Sequence, residues 1–286
     1  KKTTGLMVAV DATCSGLQIL AGLARDKSTA ELVNVVPSNK PSDAYKAVAE
    51  QAKEFLPTYM HRWMNRAVCK RTVMTIPYNA TKDSSRKYIR EALLEEGIDP
   101  TKDELTQVVN AVYSSMDTIV PGPMQVMRWI KKHVGQYIRN GATEVEWVTP
   151  SGFVVNQRRD DIETEQMELQ LLGRTRVRLP TGKTSPSPNK HKSSTAPNYI
   201  HSFDASILHR SFTKFDEPFT VIHDSVLCRA GDMGTLNALV RETYTNIFSE
   251  ECWLSKFAET INASEPPPIV GTLDPKVVSN STYFFC

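Results

Sequence analysis

The chain has 286 residues, of which 40% are hydrophobic, and its formal net charge at pH 7 is +2. A chain of this length and composition can bury one large hydrophobic core or two smaller ones, which excludes a compositionally disordered protein. The small net charge does not by itself indicate a nucleic-acid-binding protein, since these usually carry a larger basic excess.

The cysteines argue against a disulfide-bonded or zinc-binding protein. Their number is odd, and neither a CxxC nor a mixed His/Cys metal spacing occurs among them (Cys14, Cys69, Cys228, Cys252, Cys286). We therefore expect a reducing compartment and no zinc site. The sequence has neither an apolar stretch long enough to span a bilayer nor a signal peptide, so we expect no membrane association. The chain begins with Lys1 rather than Met, and from this we expect a fragment or a split product.

The first half of the chain is predicted to be one strand followed by helices. Residues 6–10 form an apolar, β-branched run that predicts a buried strand ending at Asp11. Ser42 is the predicted N-cap of the second helix. Apolar residues at helical spacing predict helices over 15–25, 42–56, 66–76, 84–94, 102–119 and 124–138.

The second half is predicted to be richer in strands. Residues 180–197 are rich in Pro, Ser, Lys and Thr and predict a mobile loop. Two hairpins are predicted before this loop, 144–149 with 153–156 and 167–172 with 175–179. After it come a helix over 199–212, strands over 219–223 and 226–229, and a helix over 235–248. We therefore predict an α+β fold in which both sequence ends form a small sheet around a long helical insertion.

Two aspartates stand where predicted strands end. Asp11 follows the first strand, and Asp224 lies at the turn between the last two. Two carboxylates brought together at a sheet edge can hold two magnesium ions roughly 3.5–4 Å apart, one activating an attacking hydroxyl and the other stabilising a leaving pyrophosphate. Simpler roles are also compatible with the sequence, with Asp11 as the cap of the next helix and Asp224 as a hairpin-turn residue.

A helix with cationic residues lies between these aspartates. Arg66, Lys70, Met74 and Tyr78 are spaced by four and so follow one slowly rotating face. On this face the two cations can bind the phosphates of a nucleoside triphosphate, with Tyr78 further along near sugar and base. Lys70 can also donate a proton to the departing pyrophosphate. An ordinary surface helix with basic residues has the same pattern.

Three segments in order resemble the motifs of one enzyme family. Asp11-Ala-Thr-Cys-Ser-Gly-Leu-Gln18 resembles motif A of the single-subunit, phage-type DNA-dependent RNA polymerases. Residues 66–78 resemble motif B, and Val221-Ile-His-Asp-Ser225 resembles motif C. The likeness extends nearly end to end, through segments 34–45, 147–153, 196–204 and the aromatic terminus 283–286.

The resemblance implies a right-hand polymerase fold, of which this chain is the C-terminal catalytic part. The palm, a small antiparallel sheet with helices, comprises segments 1–27 and 202–286. The mainly helical fingers comprise 28–201 and carry the motif B helix, 66–78, and a β-hairpin specificity loop near 163–179.

The resemblance also implies roles for individual residues. Asp11 and Asp224 match the ligands of two Mg2+ ions, to which Ala12 adds a backbone carbonyl. Arg66 and Lys70 match the residues that bind the triphosphate, with Lys70 as the general acid. Other residues match positions around the nucleotide: the sugar-discriminating Tyr78, and His201, His223 and Tyr45.

The second predicted hairpin matches the promoter-specificity loop of the family. Arg176 matches a base-contacting arginine, and Glu168 falls at another contact position. Arg174 and Arg178 alternate with Arg176, and arginine can bind guanine bidentately in the major groove. A solvated basic loop is the alternative. The implied partners are promoter and template DNA, the RNA transcript, ribonucleoside triphosphates and the N-terminal part of the same polymerase.

Gly16 favours ribonucleotides over deoxyribonucleotides. Family A DNA polymerases share the palm and are the nearest alternative enzyme, but five residues after the motif A aspartate they usually have a glutamate that blocks the 2′-hydroxyl. Gly16 leaves room for this hydroxyl, to which Tyr78 and His201 can then bond. The segment His223-Asp-Ser also resembles the RNA polymerase form. A non-catalytic DNA-binding fragment is the alternative from another class.

Pro77 and Asn79 depart from the family pattern, in which Tyr78 is flanked by a small or β-branched residue and by Gly. Pro77 is expected to end the helix near residues 75–76, and Asn79 tolerates the left-handed backbone that Gly would adopt. These departures indicate a divergent bacteriophage lineage, and we expect action in the cytoplasm of an infected bacterium.

Overall fold

The computed structural model describes residues 6–170 and 173–285. The last two residues of the predicted strand 167–172, the Lys1 start and the end of the aromatic terminus at Cys286 lie outside this range. Within it, the chain is a mixture of helices and three small antiparallel sheets, which agrees with the predicted α+β class.

The first sheet joins the two ends of the sequence, as predicted. Its strands are β1 (Met7–Val10), β6 (Phe219–Ile222) and β7 (Ser225–Arg229), and their order is β1-β7-β6. Val10 pairs with Val226 in an antiparallel register, and both side chains are buried. Because β7 is the central strand, the residues just after β1 and just before β7 meet at one end of the sheet.

A helical region separates β1 from the other two strands. Its helices are α1 (Ser15–Ala24), α2 (Lys27–Leu32), α3 (Ala44–Lys53), α4 (Arg66–Thr75), α5 (Lys82–Glu95), α6 (Lys102–Ile119) and α7 (Pro121–Arg139). Short 3-10 helices cover Thr58–Trp63 and Ile76–Tyr78. The sequence pattern predicted six of the seven α-helices but not α2. α1 is buried along its whole length and packs against α2 and α7, which makes it the centre of the core.

The N-cap predicted for the second helix is wrong. Asp43, not Ser42, caps α3, because its Oδ1 accepts a hydrogen bond from Lys46 N over 3.1 Å. The backbone N–H of Ser42 is already used, since it donates to Asn34 Oδ1 over 2.7 Å. Asp43 thereby becomes part of the helix end that faces α4.

The prediction that Pro77 ends the motif B helix is confirmed. α4 stops at Thr75, and residues 76–78 form one 3-10 turn. Asn79 follows in the left-handed region with φ 64°, and its N–H donates to the Ile76 carbonyl over 2.9 Å. The turn directs Tyr78 away from the continuing helix axis and towards α1.

Two hairpins follow α7. The first pairs β2 (Val145–Val148) with β3 (Val154–Gln157), close to the predicted boundaries. The second pairs β4 (Asp160–Leu169) with β5 (Thr175–Pro186), and Glu168 lies opposite Arg176. Both strands of the second hairpin are longer than the sequence pattern predicted.

The predicted mobile loop over 180–197 is wrong. β5 continues to Pro186, and α8 (Pro188–Phe212) begins two residues later. Ser187 caps this helix by accepting from Lys190 N over 3.3 Å, and proline is well suited to the first helical position. The polar composition concealed a helix whose inner face is buried, with His191 fully enclosed.

Two further helices and a tail complete the fold. α9 (Met233–Glu250) was predicted, whereas α10 (Trp253–Thr260) was not. The tail is irregular apart from a 3-10 turn over Pro275–Asn280. In the described part of the chain, no helix combines the length and the apolar character needed to cross a membrane.

Candidate active site

The two aspartates predicted as metal ligands lie at the same end of the first sheet. The register of β1 with β7 brings Asp11 beside Ser225 and Asp224. The Ser225 hydroxyl donates to the Val10 carbonyl over 3.2 Å and ties the two strand ends together. Asp11 is exposed and does not cap α1, whose N-cap is Cys14. Asp224 lies in the turn between β6 and β7, which also agrees with the alternative prediction of a hairpin-turn residue. Its side chain is half-buried.

The electrostatics of this sheet end favour a cation. Partial desolvation of the carboxyl group and the neighbouring carboxylate of Asp224 raise the pKa of Asp11, although Ala12 N donates to Asp11 Oδ1 over 2.9 Å. His223 Nδ1 lies 2.7 Å from Asp224 Oδ1, and this hydrogen bond raises the pKa of His223. A cation bound beside Asp11 and Asp224 would offset the repulsion that the Asp224 carboxylate exerts on ionised Asp11.

The loop between β1 and α1 is held by the end of the chain. Thr13 Oγ1 donates to the Tyr283 carbonyl over 2.6 Å. Gln18 is buried, and its Nε2 donates to the Phe284 carbonyl over 3.0 Å. The C-terminal residues therefore fix the backbone that presents Asp11.

Tyr78 and the two predicted histidines form a contiguous group beside Asp224. The rings of Tyr78 and His201 are stacked, with centroids 4.3 Å apart and planes 9° apart. His201 in turn meets His223 edge to face, at a centroid distance of 5.5 Å. The structure thus places three predicted nucleotide-contacting residues next to one predicted metal ligand.

Gly16 makes room for Tyr78. A Cβ atom at Gly16 would lie 2.9 Å from Tyr78 Oη and 3.1 Å from Pro77 Cβ, closer than side-chain atoms normally approach. The sequence predicted that Gly16 leaves space for a ribose hydroxyl. In this structure the space above Gly16 is occupied by the tyrosine that was predicted to sense the same hydroxyl.

Tyr78 also contacts two residues that the sequence analysis did not single out. Its hydroxyl lies 3.1 Å from Ser15 Oγ and donates to Asp204 Oδ2 over 3.3 Å. The Asp204 side chain is only 11% exposed. Burial, with the carboxylate of Asp224 as a second cause, raises the pKa of Asp204 to about 7. Asp204, Asp224 and Ser15 line one pocket, so Asp204 belongs to the site.

The predicted triphosphate-binding residues lie on the exposed face of α4. Arg66 Nε donates to Asp43 Oδ2 over 2.6 Å, and its guanidinium lies 5.3 Å from the centroid of the Tyr45 ring. The Tyr45 hydroxyl donates to the Thr13 carbonyl over 3.4 Å, which links this group to the Asp11 loop. Lys70 is exposed one turn along from Arg66. Asp43 was not identified from the sequence as a site residue.

The four residues predicted to contact DNA lie on the second hairpin. Arg176 and Arg178 are two residues apart on β5 and so share a face with Glu168, which lies opposite Arg176, and Arg174 lies directly before this strand. Glu168 forms an ion pair with Arg174. Among the described residues, no hydrogen bond or ion pair joins these four side chains to the group around Asp224.

A sheet end with paired carboxylates, flanked by a helix with exposed cations, is suited to phosphoryl-group chemistry on nucleotides. Comparison with known proteins defines the class. A model of the DNA-dependent RNA polymerase family matches residues 2–267, and the chain belongs to this family. The family predicted from the three motifs is thereby confirmed.

Individual relatives come from phages and from mitochondria. The chain is 29% identical to the human mitochondrial DNA-directed RNA polymerase, in an alignment covering 98% of the chain and 25% of that protein. It is 26% identical to the DNA-directed RNA polymerase of Pseudomonas phage phiKMV, covering 99% of the chain and 38% of the relative. For T7 RNA polymerase of Escherichia phage T7 the identity is 26%, and the coverage is 98% and 40%. The chain thus spans between a quarter and two fifths of the length of these relatives.

Proposed function

We propose that this chain carries the catalytic site of an enzyme that synthesises RNA on a DNA template from ribonucleoside triphosphates, by two-metal-ion nucleotidyl transfer. The observation that carries the proposal is the meeting of Asp11 and Asp224 at one end of the sheet, beside the stacked rings of Tyr78 and His201. Family membership supports the same reaction, since the relatives are named as DNA-directed RNA polymerases.

In this proposal the first sheet with α1 and α9 is the palm, and residues 28–201 are the fingers. The assignment is supported by the order of the strands, which returns the chain to β1 only after the helical region and the two hairpins. The 3-10 turn of Tyr78, which ends this excursion's motif B helix, packs against α8 and α1, and this contact supports the same division.

The residues at the sheet end fit Mg2+, which prefers oxygen ligands and keeps positions for substrate phosphates. Among the described residues no group of three or more His, Cys, Asp and Glu side chains could hold a metal ion. Asp11, Asp224 and the Ala12 carbonyl are the groups that would hold two ions together with substrate oxygens. Bound Mg2+ would activate the attacking hydroxyl and neutralise the departing pyrophosphate.

The chain's own side chains perform the remaining tasks. Arg66 and Lys70 bind the triphosphate along the exposed face of α4, and Lys70 holds the proton that passes to the pyrophosphate oxygen. Tyr78 and His201 contact the sugar, with His223 fixing Asp224 through their 2.7 Å hydrogen bond.

The second hairpin is proposed to read promoter DNA through Arg176, with Arg174, Arg178 and Glu168 as neighbours. Alternating arginines on a two-stranded ribbon have the geometry to enter a major groove. The other proposed partners are the template, the RNA transcript and the N-terminal part of the same polymerase. The proposed place of action is the cytoplasm of an infected bacterium.

A family A-like DNA polymerase is the second candidate, and extension of an RNA primer on a DNA template separates the two. Because Gly16 leaves no acidic side chain to block a 2′-hydroxyl, we expect ribonucleotides to be incorporated in preference to deoxyribonucleotides. Equal incorporation of both would refute RNA synthesis as the function. An Asp224→Asn variant that extends as well as the wild type would refute the two-metal assignment.

A non-catalytic DNA-binding fragment is the candidate from another class. Extension should be measured with the chain alone and with the N-terminal part of a phage relative added in trans. Synthesis that appears on addition, and is lost in Asp224→Asn, supports a catalytic role. Duplex binding without synthesis in either mixture would favour the fragment.

A further inference from the structure

The Asp204 carboxylate is buried behind Tyr78 on the same helix as His201. His201 and Asp204 are three residues apart on α8, so both side chains face the same direction. His201 supplies the ring on which Tyr78 stacks, and Asp204 accepts from the Tyr78 hydroxyl over 3.3 Å. One helix face therefore holds the tyrosine by its ring and by its oxygen.

The remaining surroundings of Tyr78 leave its hydroxyl with few other partners. Besides Asp204, Ser15 Oγ is the one hydrogen-bonding partner of this hydroxyl within residues 6–170 and 173–285, at 3.1 Å. A buried phenol oxygen that loses its partner costs free energy, so the tyrosine would move to find another. The stack on His201 alone fixes the plane of the ring but not its position in that plane.

We propose that Asp204 is a positioning residue that fixes the Tyr78 hydroxyl above Gly16 and thereby sets the preference of the site for ribose over deoxyribose. The inference rests on the proposed function for its effect on substrate choice. The structural part of the inference, that Asp204 holds Tyr78 in position, is independent of the proposed function.

The structural part is tested by nitration of tyrosines with tetranitromethane, mapped by mass spectrometry. In Asp204→Leu, which keeps the volume but removes the acceptor, nitration of Tyr78 should rise several-fold. In Asp204→Asn, whose amide oxygen can still accept, Tyr78 should stay protected. Tyr199 is buried on the same helix and donates to the Trp253 carbonyl over 2.9 Å, so it reports whether the fold is intact. Equal protection of Tyr78 in Asp204→Leu and wild type would overturn the proposal.

The functional part is tested by the ratio of kcat/KM for ribo- and deoxyribonucleotides. Asp204→Leu should lower this ratio roughly three- to tenfold, the effect of about one hydrogen bond, and Asp204→Asn should restore most of it. In a Tyr78→Phe background, which lacks the hydroxyl, Asp204→Leu should have no further effect. Additive losses would overturn the proposal. If Asp204→Leu does not fold, Asp204→Ser takes its place, because the serine side chain is too short to reach Tyr78. The same decrease in the kcat/KM ratio is then expected.

The two failures are distinguishable. If Tyr78→Phe itself leaves the ratio unchanged, the proposed sugar-sensing role of Tyr78 is wrong, and so is the effect of Asp204 on substrate choice. The nitration result then still decides whether Asp204 positions the tyrosine. Absence of all synthesis refutes the proposed function while leaving the nitration test intact.

Discussion

The phenol ring of Tyr78 lies flat against the imidazole of His201, with their centroids 4.3 Å apart. The two residues come from different elements, the 3-10 turn after α4 and the middle of α8. The stack joins the helix with the exposed cations to the sheet end with the two aspartates, because His201 also contacts His223. Substrate choice and metal binding are therefore predicted to be coupled through these rings.

Removal of the stacking partner should weaken ribose preference. An aromatic pair contributes about 0.5–1.5 kcal/mol, so His201→Ala should lower the ribo-to-deoxyribonucleotide ratio of kcat/KM by roughly two- to tenfold. The exposed His209 lies on the same helix and gives a matched control, since His209→Ala should leave the ratio unchanged. An equal effect of both changes would contradict a specific role for His201.

A methyl group at position 16 should displace Tyr78. In Gly16→Ala the added atom would lie within 3.1 Å of both Tyr78 and Pro77, and overpacking of this kind costs about 1–3 kcal/mol. We expect a lower thermal midpoint together with weaker ribose preference. Gly234→Ala is the control, because a Cβ there meets open space. A variant at position 16 that keeps both wild-type properties would show that the close approach is unimportant.

The ion pair between Asp43 and Arg66 should orient the arginine for the triphosphate. Burial opposes ionisation of Asp43, yet the hydrogen bond from Lys46 N and the Arg66 guanidinium lower its pKa overall. Asp43→Asn keeps a good helix cap, so stability should hardly change, whereas KM for nucleotides should rise about two- to fivefold, as expected for an exposed pair. Asp83→Asn, which breaks a comparable exposed pair with Arg86, is the control. A fall in KM would mean that Asp43 competes with the phosphates.

The arginines of the second hairpin should differ in how much they contribute to sequence-specific DNA binding. Arg176→Ala should weaken binding at one base-pair position by about 1–3 kcal/mol, which a library of duplexes resolves. Arg174 is already paired with Glu168, so Arg174→Ala should have less effect. Lys183→Ala on the same strand serves as a control for general charge. Uniform weakening across all duplexes on loss of Arg176 would indicate phosphate contact only.

Acid should destabilise the base of the second hairpin through His191. This residue is fully buried, its Nε2 accepts from Arg159 N over 3.1 Å, and burial lowers its pKa. The unfolded chain then binds a proton that the folded chain refuses, so stability is full above the ordinary pKa of 6.5 and falls below it. The urea midpoint should drop more between pH 7.5 and pH 5.5 in the wild type than in His191→Gln. Equal drops would assign the acid sensitivity elsewhere.

Local backbone rules allowed the sequence to predict some of the site in detail. Pro77 cannot continue a helix, and Asn79 tolerates a left-handed backbone, so the turn that carries Tyr78 was predictable from adjacent residues. The prediction of a mobile loop over 180–197 was wrong because the helix there depends on tertiary packing and not on a local backbone rule. Its polar residues face solvent on one side of α8, and only the tertiary packing of His191 shows that the other side is buried.

The contacts of Asp204 and Asp43 could not be predicted in this way. Asp204 meets Tyr78 across 126 residues of sequence, and Asp43 meets Arg66 across 23. Neither spacing follows a helical or strand period, so no local pattern points to the pairs. The chain fold decides them, through the position of α8 behind the turn of Tyr78 and of α3 beside α4.

The central claim is that Asp11 and Asp224 together hold the metal ions, and Mn2+ binding followed by electron paramagnetic resonance tests it most directly. In the presence of a ribonucleoside triphosphate, the chain should bind Mn2+ saturably, and Asp11→Asn and Asp224→Asn should each weaken this binding at least tenfold. Asp274→Asn, at the N-cap of the 3-10 turn in the tail, should bind like the wild type. Wild-type Mn2+ affinity in both Asp11→Asn and Asp224→Asn would contradict the account.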